Sequence, residues 1–176
     1  VELAQDAELW HDPEGEPWAS FTVDGHLEHW PTKSKAFRRW LSRRFYEAEG
    51  GTPGAQAIQD ALLVIDGLAC YDGPEHPVYT RLAHHGGRIY LDLSDDQWRA
   101  VEISEVGWRV IPSDEAPVRF RRARGMLPLP EPVAGGSLEL LRRYLHVNDD
   151  ADWMLVKAWL IGALHPTGPY PVLVLQ

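Results

Sequence analysis

Six cations fall between positions 33 and 44: Lys33, Lys35, Arg38, Arg39, Arg43 and Arg44. A lysine or arginine can neutralise a nucleic-acid phosphate, and a row of them makes a contact that weakens as salt rises. Trp30 and Trp40 would add base stacking where exposed, although Trp40 falls on an apolar stripe. The competing reading is a solvated helix face that pairs with the acidic N-terminal segment. A second cationic group lies further on, where Arg119 and Arg121 alternate with Val118 and Phe120, with Arg109, Arg122 and Arg124 nearby. A guanidinium fork suits phosphate or carboxylate, so Arg119 and Arg121 are candidates for a second phosphate contact. The competing reading is cross-strand pairing with acids such as Glu102 and Asp92. Phosphate contacts of this kind position a nucleic-acid strand without reading its sequence.

Other side chains offer weaker chemistry. Asp92, Asp95 and Asp96 cluster at the end of an expected strand, and Asp149, Asp150 and Asp152 form a second acidic group. Paired carboxylates can hold Mg²⁺ in a nuclease or nucleotidyl transferase. Asp and Ser are also ordinary turn formers and helix caps, the reading preferred here. His26 and His29 lie three apart and His84 and His85 are adjacent, but neither has a second pair at zinc-site spacing. Cys70 stands alone at the end of an apolar helix face and reads as buried rather than nucleophilic. No catalytic residue and no metal ligand is assigned.

The elements that must position these groups follow from patterning. The chain has 176 residues, 44% hydrophobic, with eight Trp, so a packed core is expected. Its formal charge of −9 is uneven: residues 1–32 carry eight acids and no Lys or Arg. Nothing reads as a membrane helix, and a single cysteine fits a reducing, cytoplasmic setting. Trp18 to Val23 and His26 to Trp30 flank Asp24-Gly25 as a possible hairpin. Residues 33–48 read as a helix, with Thr32 or Ser34 as cap, Phe37, Trp40, Leu41 and Phe45 as the buried stripe, and Gly50-Gly51 as the stop. Thr52-Pro53 opens a second helix, whose buried face is Ile58, Ala61, Leu62, Ile65 and Ala69. Val78 to Ala83, Arg88 to Leu93, Trp98 to Ile103, Trp108 to Ile111 and Val118 to Arg121 read as an antiparallel meander, with His84-His85-Gly86-Gly87 as its first turn. Ser137 and Asp149 or Asp150 cap two further helices. Val172 to Leu175 is apolar throughout, as in an inner parallel strand.

The boundaries expected are an acidic segment 1–31, an α+β accessory domain 32–124, a Pro/Gly-rich connector 125–136, and helices leading into a strand over 137–176. The fold class is α+β: an N-terminal helical pair, a small antiparallel sheet, then two helices and the first strand of an α/β P-loop core that continues beyond the chain.

Residues 26–176 resemble the region upstream of the P-loop in phage and mobile-element ATP-binding proteins, the ATPases related to primase-helicases. The resemblance is carried by His29-Trp-Pro with Phe37-Arg-Arg-Trp-Leu41, by Ile89-Tyr-Leu-Asp-Leu93, Trp98-Arg-Ala-Val-Glu-Ile103 and Pro117-Val-Arg-Phe-Arg121, and by Gly168-Pro-Tyr-Pro-Val-Leu-Val-Leu175. It implies that the closing run enters a Gly-Lys-Ser/Thr loop at the next residue. It further implies ATP and Mg²⁺ for the core beyond, homo-oligomerisation through that core, and a replication role with DNA or RNA as partner. The Gly-Lys-Ser/Thr loop is absent from this sequence, so no nucleotide contact is carried over to any residue and no cofactor is assigned within the chain. The function expected is an accessory module that contacts nucleic acid or a partner while the core hydrolyses ATP. The alternatives are a protein-interaction or oligomerisation module and, behind it, a metal-dependent nuclease or nucleotidyl transferase.

Overall fold

The computed structural model describes residues 2–147, 149–165 and 168–174, and the chain divides into two units, Val1–Leu129 and Pro130–Gln176. The class is α+β. In the first unit the acidic opening residues are part of the packed body rather than a separate segment. They form a three-stranded antiparallel sheet of β1 (Glu8–His11), β2 (Pro17–Val23) and β3 (His26–Pro31) in the order β1-β2-β3. Asp24, at φ 46°, and Gly25, at φ 88°, make the β2–β3 turn, the left-handed pair that a two-residue hairpin needs. The β1–β2 turn is organised by Asp12. Its buried carboxylate accepts from the Glu16 amide at 2.8 Å and the Trp18 indole at 3.1 Å.

Next comes α1 (Lys35–Glu49). Ser34 caps it by accepting from the Phe37 amide, and Gly50, at φ 67°, ends it. α2 spans Ala55–Tyr71. The expected Thr52-Pro53 start is displaced: Gly54 is the cap residue and its position carries no side-chain cap bond. Phe37 and Leu41 of α1 and Leu62 and Ile65 of α2 pack against Ala19 and Phe21 of β2, forming the first core. Gly73 closes α2 against β1, where a Cβ would lie 2.6 Å from the carbonyl oxygens of Ala69 and Leu9.

The β-rich section is not one meander. β5 (Leu82–His85), β6 (Arg88–Asp92), β7 (Ala100–Ser104) and β8 (Gly107–Ile111) form an antiparallel sheet in sequential order. The two-residue Gly86-Gly87 turn sets its register, with His85 opposite Arg88. The stretch expected as one strand over 78–83 is broken at Arg81, which sits at φ 67°. Its first part, β4 (Val78–Tyr79), pairs in parallel with β9 (Arg119–Phe120) instead. Phe120 and Val118 point into a second core with Ala83, Tyr90, Ala100 and Ile111.

The second unit holds α3 (Leu138–Arg142), capped by Ser137, and α4 (Asp150–Gly162), capped by Asp149. Trp153 and Val156 are its buried residues, and the Trp153 indole donates to Glu139 at 2.7 Å. Residues 168–174 form no strand, against the expectation for the closing apolar run. Strand structure requires a ladder partner, and Val172 and Val174 are exposed and find none among the described residues. Leu175 lies outside the described residues. No helix among them is long and apolar enough to cross a membrane.

Candidate nucleic-acid interface

The candidate site is built on α1. A helix turns about 100° per residue, so positions 35, 38, 39, 42 and 46 share an arc of about 100° opposite Phe37 and Leu41. On that arc Lys35, Arg38, Arg39 and Tyr46 are exposed, and Ser42 turns its hydroxyl inward to donate to the Arg38 carbonyl at 2.8 Å. Lys33 is exposed just ahead of the cap. Among the described residues no carboxylate lies within ion-pair distance of Lys33, Lys35, Arg38 or Arg39. The first turn of α1 holds no acid. Cations there oppose the helix dipole at about 0.3–1 kcal/mol each, so the helix carries a local cost and presents a concentrated positive field.

The other two cations of the cluster are engaged. Arg43 pairs with Glu47 one turn on, at 2.9 Å, and Arg44 pairs with Asp6 while lying over the Trp40 ring. Trp40 offers no stacking surface, being stacked on Phe21 at 4.5 Å between ring centres and on Phe37 at 5.6 Å. Trp30 meets Trp98 edge-on and donates to Glu28.

Arg119 and Arg121 are placed differently from the expectation of a second phosphate contact. Arg119, in β9, and Arg121, just past its end, both turn to the first sheet, whose tryptophans they overlie. Trp10 and Trp18 are fully buried and stack 5.3 Å apart. The Arg119 guanidinium lies 5.0 Å from the Trp10 ring centre and pairs with Glu8 at 2.8 Å. Arg121 lies 5.2 Å from the Trp18 ring centre and pairs with Glu16. Arg122 lies 3.9 Å from the Trp98 ring centre and pairs with Asp92 at 2.8 Å. The acids of residues 1–32 therefore clamp β9 to the first sheet. Arg109 pairs across strands with Glu102, its register partner, at 2.8 Å. Hydrogen bonds from Arg109, with those from Arg88 and Tyr90, outweigh desolvation and pull the Glu102 carboxyl down to about 2.

Behind the clamp runs a buried polar chain. The Trp10 indole donates to Ser20 Oγ at 2.8 Å, and Ser20 Oγ lies 2.8 Å from His29 Nδ1. With the Ser20 oxygen already accepting, its hydroxyl is free to donate to a neutral His29. Burial first, then the positive charges of Arg119 and Arg122, lowers the His29 pKa to about 3. Of the acids, Asp92 is 1% exposed and accepts from Ser94 and Arg122, while Asp95 pairs with Arg99 at 2.6 Å. Cys70 is half-buried against the Gly15 carbonyl. Among the described residues no three His, Cys, Asp or Glu side chains converge as a metal site.

Comparison with family models, with curated proteins and with solved structures finds no match. The residue that sequence reasoning passed over is Tyr46. Continuing the helical spacing from Arg39 through Ser42 was the signal that could have placed it on the cationic arc.

Proposed function

We propose that this chain is an accessory module of a nucleic-acid-associated P-loop ATPase, of the phage or mobile-element replication type, and that α1 supplies its nucleic-acid contact. One observation carries the reading: four cations, Lys33 just ahead of α1 and Lys35, Arg38 and Arg39 on it, stand exposed and, among the described residues, without carboxylate partners. They do so in a chain of net charge −9, whose strand arginines Arg119 and Arg121 are held by acids. Unpaired clustered cations are what phosphate contact requires, because a guanidinium already forked onto a carboxylate must break that pair first. The ATPase assignment is supported by the resemblance of residues 26–176. ATP and Mg²⁺ would act in a core outside these residues, and no side chain of this chain is assigned to them.

A second reading, a protein-interaction or oligomerisation module, is favoured by the second unit, where Leu140, Tyr144, Met154, Leu155 and Ile161 are exposed. Exposed apolar side chains in that number mark contact surfaces more often than solvent faces. The two readings separate in one experiment. Fluorescence anisotropy with a labelled oligonucleotide is run on the wild type, on a Lys35→Ala, Arg38→Ala, Arg39→Ala variant and on Arg121→Gln. The nucleic-acid reading expects the triple variant to lose about tenfold or more in affinity, with Arg121→Gln binding as wild type. No binding by the wild type, together with self-association in sedimentation, supports the interaction reading instead.

A further inference from the structure

From the placement of Tyr46 we infer that the α1 face takes single-stranded nucleic acid, with an unpaired base stacked on the Tyr46 ring while Lys35, Arg38 and Arg39 hold the adjoining phosphates. This deepens the reading above and rests on it. Tyr46 is 62% exposed, on the same arc as the three cations and at the end of the row away from Lys35. The eleven helical steps from Lys35 to Tyr46 rise about 16 Å, enough for an extended strand of about three nucleotides.

The kind of side chain decides between strand types. In duplex backbone contact a tyrosine acts only through its hydroxyl, as a donor to phosphate, which Tyr46→Phe would abolish, whereas stacking needs only the ring, which Tyr46→Phe keeps. An unpaired base has a free π-face, and stacking on an aromatic ring is the usual complement to a cationic groove in single-strand binding. Of the other rings of this helix, Trp40 lies against Phe21 and Phe37, Phe37 is buried and Phe45 is half-buried. Tyr46 is left as the one ring on the arc, next to cations that likewise have no internal partner among the described residues. An exposed tyrosine contributes little to folding, so its variants keep the fold.

The test uses the full 176-residue chain with labelled oligothymidylate, oligouridylate and a mixed-sequence duplex of equal length. The wild type is expected to bind one or both single strands more tightly than the duplex. Tyr46→Ala should weaken single-strand binding about fivefold or more and leave duplex binding unchanged, with Tyr46→Phe close to wild type. Equal binding of all three probes, with Tyr46→Ala affecting none, overturns this inference and leaves the phosphate-contact reading standing. Absence of binding to every probe overturns both.

Discussion

Acid should weaken this fold well above the range where its carboxylates titrate, and His29 is the reason. The ring is 6% exposed and neutral in the folded state, with its pKa lowered from 6.5 to about 3. The unfolded chain binds a proton at His29 below pH 6.5, whereas the folded chain does not until about pH 3. Stability from this group is therefore intact above pH 6.5 and falls as pH drops through that window. At pH 5 the loss is about 2 kcal/mol, from one and a half pH units at about 1.4 kcal/mol each. His76, also lowered chiefly by burial and by Arg119, adds to the fall in the same direction. Glu102, held at about 2, gives up its stabilisation only as pH falls from about 4.5 toward 2, so it does not blur the window from 6.5 to 5. The assay is urea unfolding at pH 7.5 and pH 5.0 for wild type and His29→Gln, in which the amide oxygen keeps an acceptor for the Ser20 hydroxyl. His29→Gln should be less stable at pH 7.5 but lose about 2 kcal/mol less on acidification. Equal losses in the two proteins would show that His29 is not held neutral, and the buried chain from Trp10 through Ser20 to His29 would be wrong.

Three further outcomes are expected. Arg122→Ala strands the buried Asp92 carboxylate and should cost about 3–5 kcal/mol in the same unfolding assay, whereas Arg43→Ala, removing an exposed pair with Glu47, should cost under about 1 kcal/mol. Gly73→Ala drives a Cβ to 2.6 Å from two backbone oxygens and should lower the melting temperature by several degrees or more, while Gly51→Ala, with open space around its position, should leave it nearly unchanged. Phe37→Ala empties a fully buried site beneath α1 and should cost about 3–5 kcal/mol, read by chemical denaturation.

Local signals in this sequence were good guides where the chemistry is local. Ser34, Ser137 and Asp149 cap the helices that their positions announce, and Asp24-Gly25 turns its hairpin, while the turn expected over His84 to Gly87 narrows to Gly86-Gly87 because His84 and His85 pair with β6. The misreadings came from partners distant in sequence. Glu8 to His11 shows little strand character alone and becomes a strand by pairing with β2. Val78 and Arg119 pair in parallel, which no hairpin signal reports. The alternation of Arg119 and Arg121 with Phe120 was legible, but that Trp10, Trp18, Glu8 and Glu16 cover the cationic face was not. A strand pattern tells that two faces differ, and says nothing of what lies on each. On α1 the cations were legible as a cluster. That Arg43 and Arg44 are engaged while Lys35, Arg38 and Arg39 have no carboxylate partner among the described residues depends on Asp6 and Glu47, and so on the packed structure.

The salt dependence of oligonucleotide binding addresses the α1 interface most directly. Affinity for a single-stranded probe is measured from low to moderate salt for the wild type and for the Lys35→Ala, Arg38→Ala, Arg39→Ala variant. Each phosphate contact contributes about 0.7 to the slope of log affinity against log salt, so the variant's slope should be shallower by about two units. Parallel slopes, with the wild type binding no more tightly than the variant, would mean that these cations face only solvent.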